Sequence, residues 1–327
     1  MPEFDIIVWV LLAVIILLVL VLLYFAVIYL LGLRTFHKIF DRPDPRPVVD
    51  RSPQKINQDN VYGRGQNWFY TNRMDFLDIT ITAYDGVKLS AYYRPADRKE
   101  SNQLVILLHG WRDHPSVMGA FAQLYLQKTD CHLLILHMRA HGMSTGKYIG
   151  YGLPDSQDLI TWINYMRKIL PKPLRVICHG WSMGAATVLL AAGSGRLPKE
   201  ATCVIADSSY ASLVSQISEM MRRRYRFVPR LFLKEISRIT QKHVGYSLEK
   251  ISPISLAGKI RIPVLLVHGS EDTFILPSAS DEIFQKIRSQ KRLLFIEGAE
   301  HVMAYDVAAS TYSTEIDRLM EVSGFFL

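Results

Sequence analysis

Val176-Ile177-Cys178-His179-Gly180-Trp181-Ser182-Met183-Gly184-Ala185-Ala186 is the stretch from which the fold is read. A short apolar run ends in Gly-x-Ser-x-Gly and opens directly into small residues of helical character. That order predicts a strand, a tight turn presenting a serine, and a helix. Sterics account for the glycines: the serine sits in a strained backbone conformation, and two residues to either side the strand and helix pack too closely for side chains. A helix beginning at Met183 also aims its first N–H groups and the positive end of its dipole at whatever the serine attacks. Ser182 is the candidate nucleophile, against the rival reading of a structural turn.

Outward from this turn, apolar runs recur at 104–108, 133–136, 174–178, 203–206, 264–267 and 293–296, with helix-like intervals between them. Strands that are apolar on both faces and separated by helices imply a mostly parallel sheet covered by helices on both faces. Ahead of them, 78–82 and 89–93 alternate polar and apolar around Asp85-Gly86, the pattern of an antiparallel hairpin. Between about 212 and 254 the strand rhythm stops, and a helical cap insert is expected there.

A serine is a weak nucleophile without a base and a third group that orients the base. Two later strand ends supply both: Ser270-Glu271-Asp272-Thr273 follows the run at 264–267, and Gly298-Ala299-Glu300-His301 follows the run at 293–296. Loops at the carboxyl edge of a parallel sheet converge on one crevice, so separation in sequence is no obstacle. Ser182 would attack an acyl carbon, His301 would take and return the proton, and Asp272 would hold the imidazole. Glu271 and Asp207 are the rival acids. The oxyanion that forms needs donors; the backbone N–H of Met183 and that of Trp111, in His109-Gly110-Trp111-Arg112, are the candidates.

From about Phe76 onward the chain resembles the α/β-hydrolase fold family, and within it bacterial membrane-anchored serine hydrolases of esterase type. Five signatures carry the likeness in order: His109-Gly110 after a strand, Arg139-Ala140-His141-Gly142-Met143-Ser144 resembling the family's Arg-Gly-His-Gly-x-Ser loop, the turn at Ser182, Asp272 and His301. Ala140 stands where a glycine is usual, and His137 where the family often has an aspartate. The resemblance implies hydrolysis of a carboxylic ester through an acyl-enzyme intermediate, on a small-molecule or lipid-like ester and with no cofactor. A thioesterase or peptidase with the same triad, or a non-catalytic binding protein on this fold, are the rival functions.

Residues 6–33 contain no charge and exceed the roughly 20 apolar residues that span a bilayer. Glu3 and Asp5 precede them, and Arg34, Lys38, Arg42, Arg46, Arg51 and Lys55 follow, so the positive-inside rule places the main domain in the cytoplasm, with the outside as the alternative. A cleavable signal peptide fits poorly, because the amino-terminal flank is acidic and the run is too long. The expected organisation is a transmembrane anchor at 1–33, a proline-bearing leading segment at 34–75, and a hydrolase domain at 76–327. Within the cap, Met220-Met221-Arg222-Arg223-Arg224-Tyr225-Arg226-Phe227 mixes basic and apolar residues, which suits a crevice cover or a bilayer surface.

The formal charge of +8 comes without basic stripes, stacking aromatics or finger motifs, which argues against nucleic acid as a partner. Cys131, Cys178 and Cys203 lie in apolar runs and lack metal spacing, so buried thiols are expected. His109, His114, His137 and His141 are close in sequence, but no carboxylate or cysteine completes a metal site.

Overall fold

The computed structural model describes residues 2–43, 59–224 and 230–326. In chain order its helices are α1 (Pro2–Phe40), α2 (Val61–Thr71), α3 (Gly119–Lys128), α4 (Leu153–Ile169), α5 (Met183–Gly193), α6 (Leu213–Arg224), α7 (Arg230–Val244), α8 (Pro253–Ala257), α9 (Ser278–Lys286), α10 (Ala304–Val307) and α11 (Ala309–Val322). The strands are β1 (Leu77–Thr82), β2 (Lys88–Arg94), β3 (Gln103–Leu108), β4 (His132–Leu136), β5 (Arg175–Trp181), β6 (Ala201–Asp207), β7 (Val264–Gly269) and β8 (Lys291–Ile296). Two compact units result: Met1–Asp41 with Ser218–Leu248, and Arg42–Ile217 with Glu249–Leu327.

The larger unit carries an eight-stranded sheet in the order β1-β2-β4-β3-β5-β6-β7-β8. β1 and β2 form the hairpin expected around Asp85-Gly86, with Leu77 opposite Tyr93 and Thr82 opposite Lys88. β2 pairs antiparallel with β4, and the remaining pairings are parallel. All six apolar runs are strands. Along β3, Val105 and Leu107 join a core with Phe69 of α2, Phe121 of α3 and Ile316 of α11, while Leu104, Ile106 and Leu108 are equally buried. Since successive side chains point to opposite faces, both faces are covered, as the continuous apolar pattern requires. The three cysteines are free and buried, and burial pushes each thiol above its ordinary range.

Register brings the carboxyl ends of the parallel strands level. Leu108 pairs with Gly180, Trp181 with Asp207, Asp207 with Val267, and Gly269 with Ile296. The loops that follow β3, β5, β6, β7 and β8 therefore leave from one edge of the sheet, where such folds place their ligands.

The leading segment contains a helix that the sequence pattern does not announce. In α2, a Cβ on Gly65 would lie 2.2 Å from the Ala120 nitrogen, and one on Gly119 would lie 2.2 Å from the Gly65 carbonyl oxygen. Glycine at both positions lets α2 approach the start of α3 backbone to backbone. Phe69 and Tyr62 are buried as a result. Ahead of it, Arg42 donates to the carbonyls of Gly142 at 2.6 Å and Ser144 at 2.7 Å.

In the smaller unit, α1 is long and apolar enough to cross a membrane: Phe4–Phe40 includes an 18-residue window of mean hydropathy 3.7, none of it buried. The helix continues past Leu33 to Phe40, because Phe36 and Phe40 are fully buried and favour continuing the turn. α1 packs along α7, where a Cβ on Gly32 would stand 3.1 Å from Ile239 Cδ1 and the Phe36 ring lies 5.1 Å from that of His243. Most of the proline-bearing stretch, including Pro45, Pro47 and Pro53, lies outside the described residues, as do Tyr225, Arg226 and Phe227.

Candidate active site

Ser182 occupies the turn between β5 and α5 with φ 52° and ψ −116°, a conformation that costs a non-glycine residue about 1–3 kcal/mol. Hydrogen bonds hold it there: its N–H donates to Asp207 O at 2.7 Å, and its carbonyl accepts from Ala186 N–H at 3.1 Å. The flanking glycines are required by packing. A Cβ on Gly180 would lie 2.2 Å from the Gly184 carbonyl carbon, and one on Gly184 would lie 2.2 Å from Leu108 O. Only 8% of the Ser182 surface is exposed.

Loops after β7 and β8 bring the other two expected residues to it. His301 Nε2 is 3.1 Å from Ser182 Oγ, and His301 Nδ1 is 2.6 Å from Asp272 Oδ2. Asp272 is buried, and its other oxygen accepts from the N–H groups of Phe274 and Ile275, each at 2.8 Å. Burial alone would raise this carboxyl. Hydrogen bonds from His268 and His301, the His301 charge and the Ile275 N–H outweigh it and hold it well below the usual carboxylate range. Of the rival acids, Glu271 is exposed. Asp207 is committed elsewhere, accepting from Ser208 Oγ and Tyr312 Oη at 3.0 Å each.

His268 was not singled out in the sequence. Its Nε2 faces two acceptors, Asp272 Oδ2 at 3.1 Å and Ile275 O at 2.9 Å, so it must carry the proton. Nδ1 is hydrogen-bonded to Ser280 Oγ at 2.7 Å. The side chain that orients His301 is thereby itself oriented. On the opposite side, Val302 N–H donates to Ser208 Oγ at 3.3 Å, which donates on to Asp207. Tyr312 and His179 extend this chain, with His179 Nε2 at 3.0 Å from Tyr312 Oη and His179 Nδ1 at 3.2 Å from Tyr125 Oη. Val302 holds φ 53°, a sterically costly conformation for a β-branched residue, immediately beside His301.

The loop after β3 is fixed by two buried histidines. His109 donates through Nδ1 to Gly110 O at 2.8 Å and accepts Met138 N–H through Nε2 at 3.1 Å. His141 donates through Nδ1 to Arg139 O at 2.8 Å and accepts Arg112 N–H through Nε2 at 2.9 Å. Burial keeps both neutral, His109 well below its ordinary value and His141 at about 4. The two departures from the family loop are accommodated here. Ala140 takes φ 60° where a glycine would be free of strain, while neighbouring Arg139 is clamped by Asp158 and Asp85. His137 lies so close to Gly142 that a Cβ there would stand 2.2 Å from its Nδ1. With both ring nitrogens engaged in this way, His109 and His141 are structural braces. No group of three or more His, Cys, Asp or Glu suited to a metal occurs among the described residues.

Trp111 and Ser182 line a pocket of about 530 Å³, together with His301 and Phe274. Glycine at 110 lets this loop pass Asp113, whose Oδ2 would lie 2.6 Å from a Cβ there. Met183 opens α5, whose first N–H groups have no partner within the helix. Asn60, Tyr62 and Gln66, all brought by α2 and its cap, form another wall that was not foreseen. Asp113 and Trp181 also face this space.

A model of the alpha/beta hydrolase family matches residues 105–311. The chain belongs to the alpha/beta hydrolase family. It is 30% identical over 250 residues to the uncharacterized protein YqkD of Bacillus subtilis (strain 168), covering 76% of this chain and 80% of that one. To YfhR of Escherichia coli (strain K12) it is 24% identical over 230 residues, covering 69% and 74%. Among solved structures, the esterase Pf2001 of Pyrococcus furiosus superposes with a TM-score of 0.63 at 21% identity, over 85% of this chain and 98% of that one. Est1E of Butyrivibrio proteoclasticus, solved with ferulic acid bound, gives 0.58 at 22%, over 75% and 98%. The structural likenesses concern the fold of this hydrolase.

Proposed function

We propose that this alpha/beta hydrolase cleaves carboxylic esters through an acyl-enzyme intermediate on Ser182. The observation that carries the reading is the unbroken relay of Ser182 Oγ, His301 and Asp272, at 3.1 Å and 2.6 Å, opening on a pocket. Ser182 Oγ attacks the ester carbonyl carbon as its proton passes to His301 Nε2. The charge on the carbonyl oxygen is met by the N–H groups of Met183 and Trp111. His301 then returns the proton to the departing alkoxide, releasing the alcohol and leaving the acyl group on Ser182. Water attacks that ester with the same proton transfers, freeing the acid. Asp272 stays ionised throughout and stabilises the imidazolium that forms twice per cycle.

The apolar α1 holds the enzyme in a bilayer, and the basic residues that follow it put the hydrolase unit on the cytoplasmic side. Small or lipid-like esters within reach of that surface are the substrates. A fluorophosphonate probe tests the reading. Wild-type protein should be labelled and Ser182→Ala should not, and a panel of p-nitrophenyl esters of increasing acyl length should show turnover. Labelling that persists in Ser182→Ala would refute it.

A further inference from the structure

The uncharged run at 6–33 holds 28 residues. At 1.5 Å per residue a helix of that length measures about 42 Å, roughly 12 Å more than the hydrocarbon of a bilayer. The surplus lies beside α7. A Cβ on Gly32 would stand 3.1 Å from Ile239 Cδ1 and 3.5 Å from Glu235 Cγ, and one turn further along both helices the Phe36 ring lies 5.1 Å from that of His243. Contacts that advance together along both helices make the pair parallel. Gly32 is level with the stretch between 235 and 239, so Arg230, which opens α7, sits about 10 Å nearer the amino-terminal end of α1. That level is beside the uncharged run and not beyond it. Only one face of α1 is covered there: Ile28 is buried, whereas Val27, Leu30 and Leu31 are 52%, 61% and 50% exposed.

The outer side of α7 is basic. Arg230, Lys234, Arg238 and Lys242 recur every four residues and are exposed, and Leu231 beside the first of them is 38% exposed. Ser218–Leu248 carries eight Lys and Arg against Glu219 and Glu235, a net +6 in a chain of +8. Both glutamates are engaged, Glu219 with Arg223 at 3.5 Å and Glu235 with Arg238 at 2.8 Å. Among the described residues no carboxylate pairs with Arg230 or Lys234. Cations flanking an exposed leucine, at the level where an apolar helix leaves the hydrocarbon, match the composition of a helix lying in a membrane interface.

We propose that the first turns of α7 lie in the headgroup layer of the bilayer that α1 crosses, with Arg230 and Lys234 on anionic lipid phosphates and Leu231 at the acyl boundary. This rests on α1 spanning the bilayer. The insert joins β6 to β7, so it gives the hydrolase a second tie to the lipid surface besides α1.

Cys131, Cys178 and Cys203 are buried, so a maleimide fluorophore goes to a cysteine introduced on the surface. Full-length protein in nanodiscs of phosphatidylglycerol and phosphatidylcholine is labelled at Val19→Cys, Leu231→Cys or Lys242→Cys. Nitroxide lipids then quench it, with the spin label in the acyl chain or on the headgroup. The acyl-chain nitroxide should quench Val19→Cys. The headgroup nitroxide should quench Leu231→Cys at least about threefold more than Lys242→Cys, which α7 carries about 16 Å further on. In discs of phosphatidylcholine alone, in raised salt, or after Arg230→Gln with Lys234→Gln, quenching at Leu231→Cys should fall at least about twofold. Unquenched Val19→Cys overturns the anchor, and the proposal with it. With Val19→Cys quenched, equal quenching at the two α7 positions overturns the proposal alone and gives the basic face to water or to a protein partner. Quenching at Leu231→Cys that ignores lipid charge, salt and the double substitution also overturns it, since α1 alone would then hold the turn at the surface. No arm depends on turnover, so ester hydrolysis at Ser182 stands or falls separately.

Discussion

Asp272 holds His301 at 2.6 Å with the same carboxylate oxygen that His268 reaches at 3.1 Å. Its second oxygen is taken by two backbone N–H groups. The carboxylate therefore has little freedom, and the imidazole it orients inherits that rigidity. Asp272→Asn should leave the fold intact and lower kcat by about 10³–10⁴-fold, since an amide favours the wrong tautomer. Glu271→Gln, on an exposed neighbour, should stay near wild type. Rates on p-nitrophenyl butyrate with matching circular dichroism spectra check both. A reversed order would assign the acid to Glu271.

Gly65 and Gly119 bring α2 against α3, and α2 supplies one wall of the pocket. Gly65→Ala forces a methyl group against the Ala120 backbone and should destabilise the protein by about 1–3 kcal/mol. A lowered thermal midpoint should accompany raised KM, because Tyr62 and Gln66 shift with the helix. An unchanged midpoint would show that the helices can part without cost.

His141 accepts the Arg112 N–H only while neutral. Burial, with Arg42 and Arg112 nearby, lowers it from the ordinary 6.5 to about 4 against the pull of the Arg139 carbonyl. A value depressed in the fold means that the unfolded chain binds more protons between these limits. The His141 contribution is then complete above pH 6.5 and is lost as the pH falls through about 4. Asp207, raised to about 6 by burial, acts in the opposite sense. It cancels when wild type is compared with His141→Gln, whose acceptor does not titrate. Unfolding measured across this range should show wild type losing stability more steeply than the variant. Parallel curves would remove His141 from the account.

The long unburied apolar stretch of α1 is what the proposed bilayer anchor rests on, and it gives that proposal two tests. Membranes washed with alkaline carbonate should retain the protein, and detergent should release it. Protease added to intact cells should leave the hydrolase unit uncut. Digestion from outside would reverse the orientation.

The sheet was legible because its strands are buried on both faces, which makes 104–108 or 264–267 continuous apolar runs. The turn at Ser182 was legible because strain and close packing demand glycine at two fixed spacings. Neither signal exists for α2. Gly63 and Gly65 weaken its helical pattern, and the reason for Gly65 lies on another helix. The place of Asp113 and Trp181 on the pocket was equally silent, since only the fold shows what a residue beside a turn faces. His268 looked like the end of a strand; its bond to Asp272 depends on how the following loop folds back.

The covalent intermediate is the central claim. Rapid mixing of full-length protein with p-nitrophenyl butyrate, followed by acid quench and peptide mass spectrometry, tests it most directly. The account predicts a burst of p-nitrophenol of about one equivalent per enzyme, with the butyryl group on the peptide containing Ser182. Turnover without a burst, and with no acyl group on Ser182 at any quench time, or an acyl group found on Ser208 or Ser209, would contradict it.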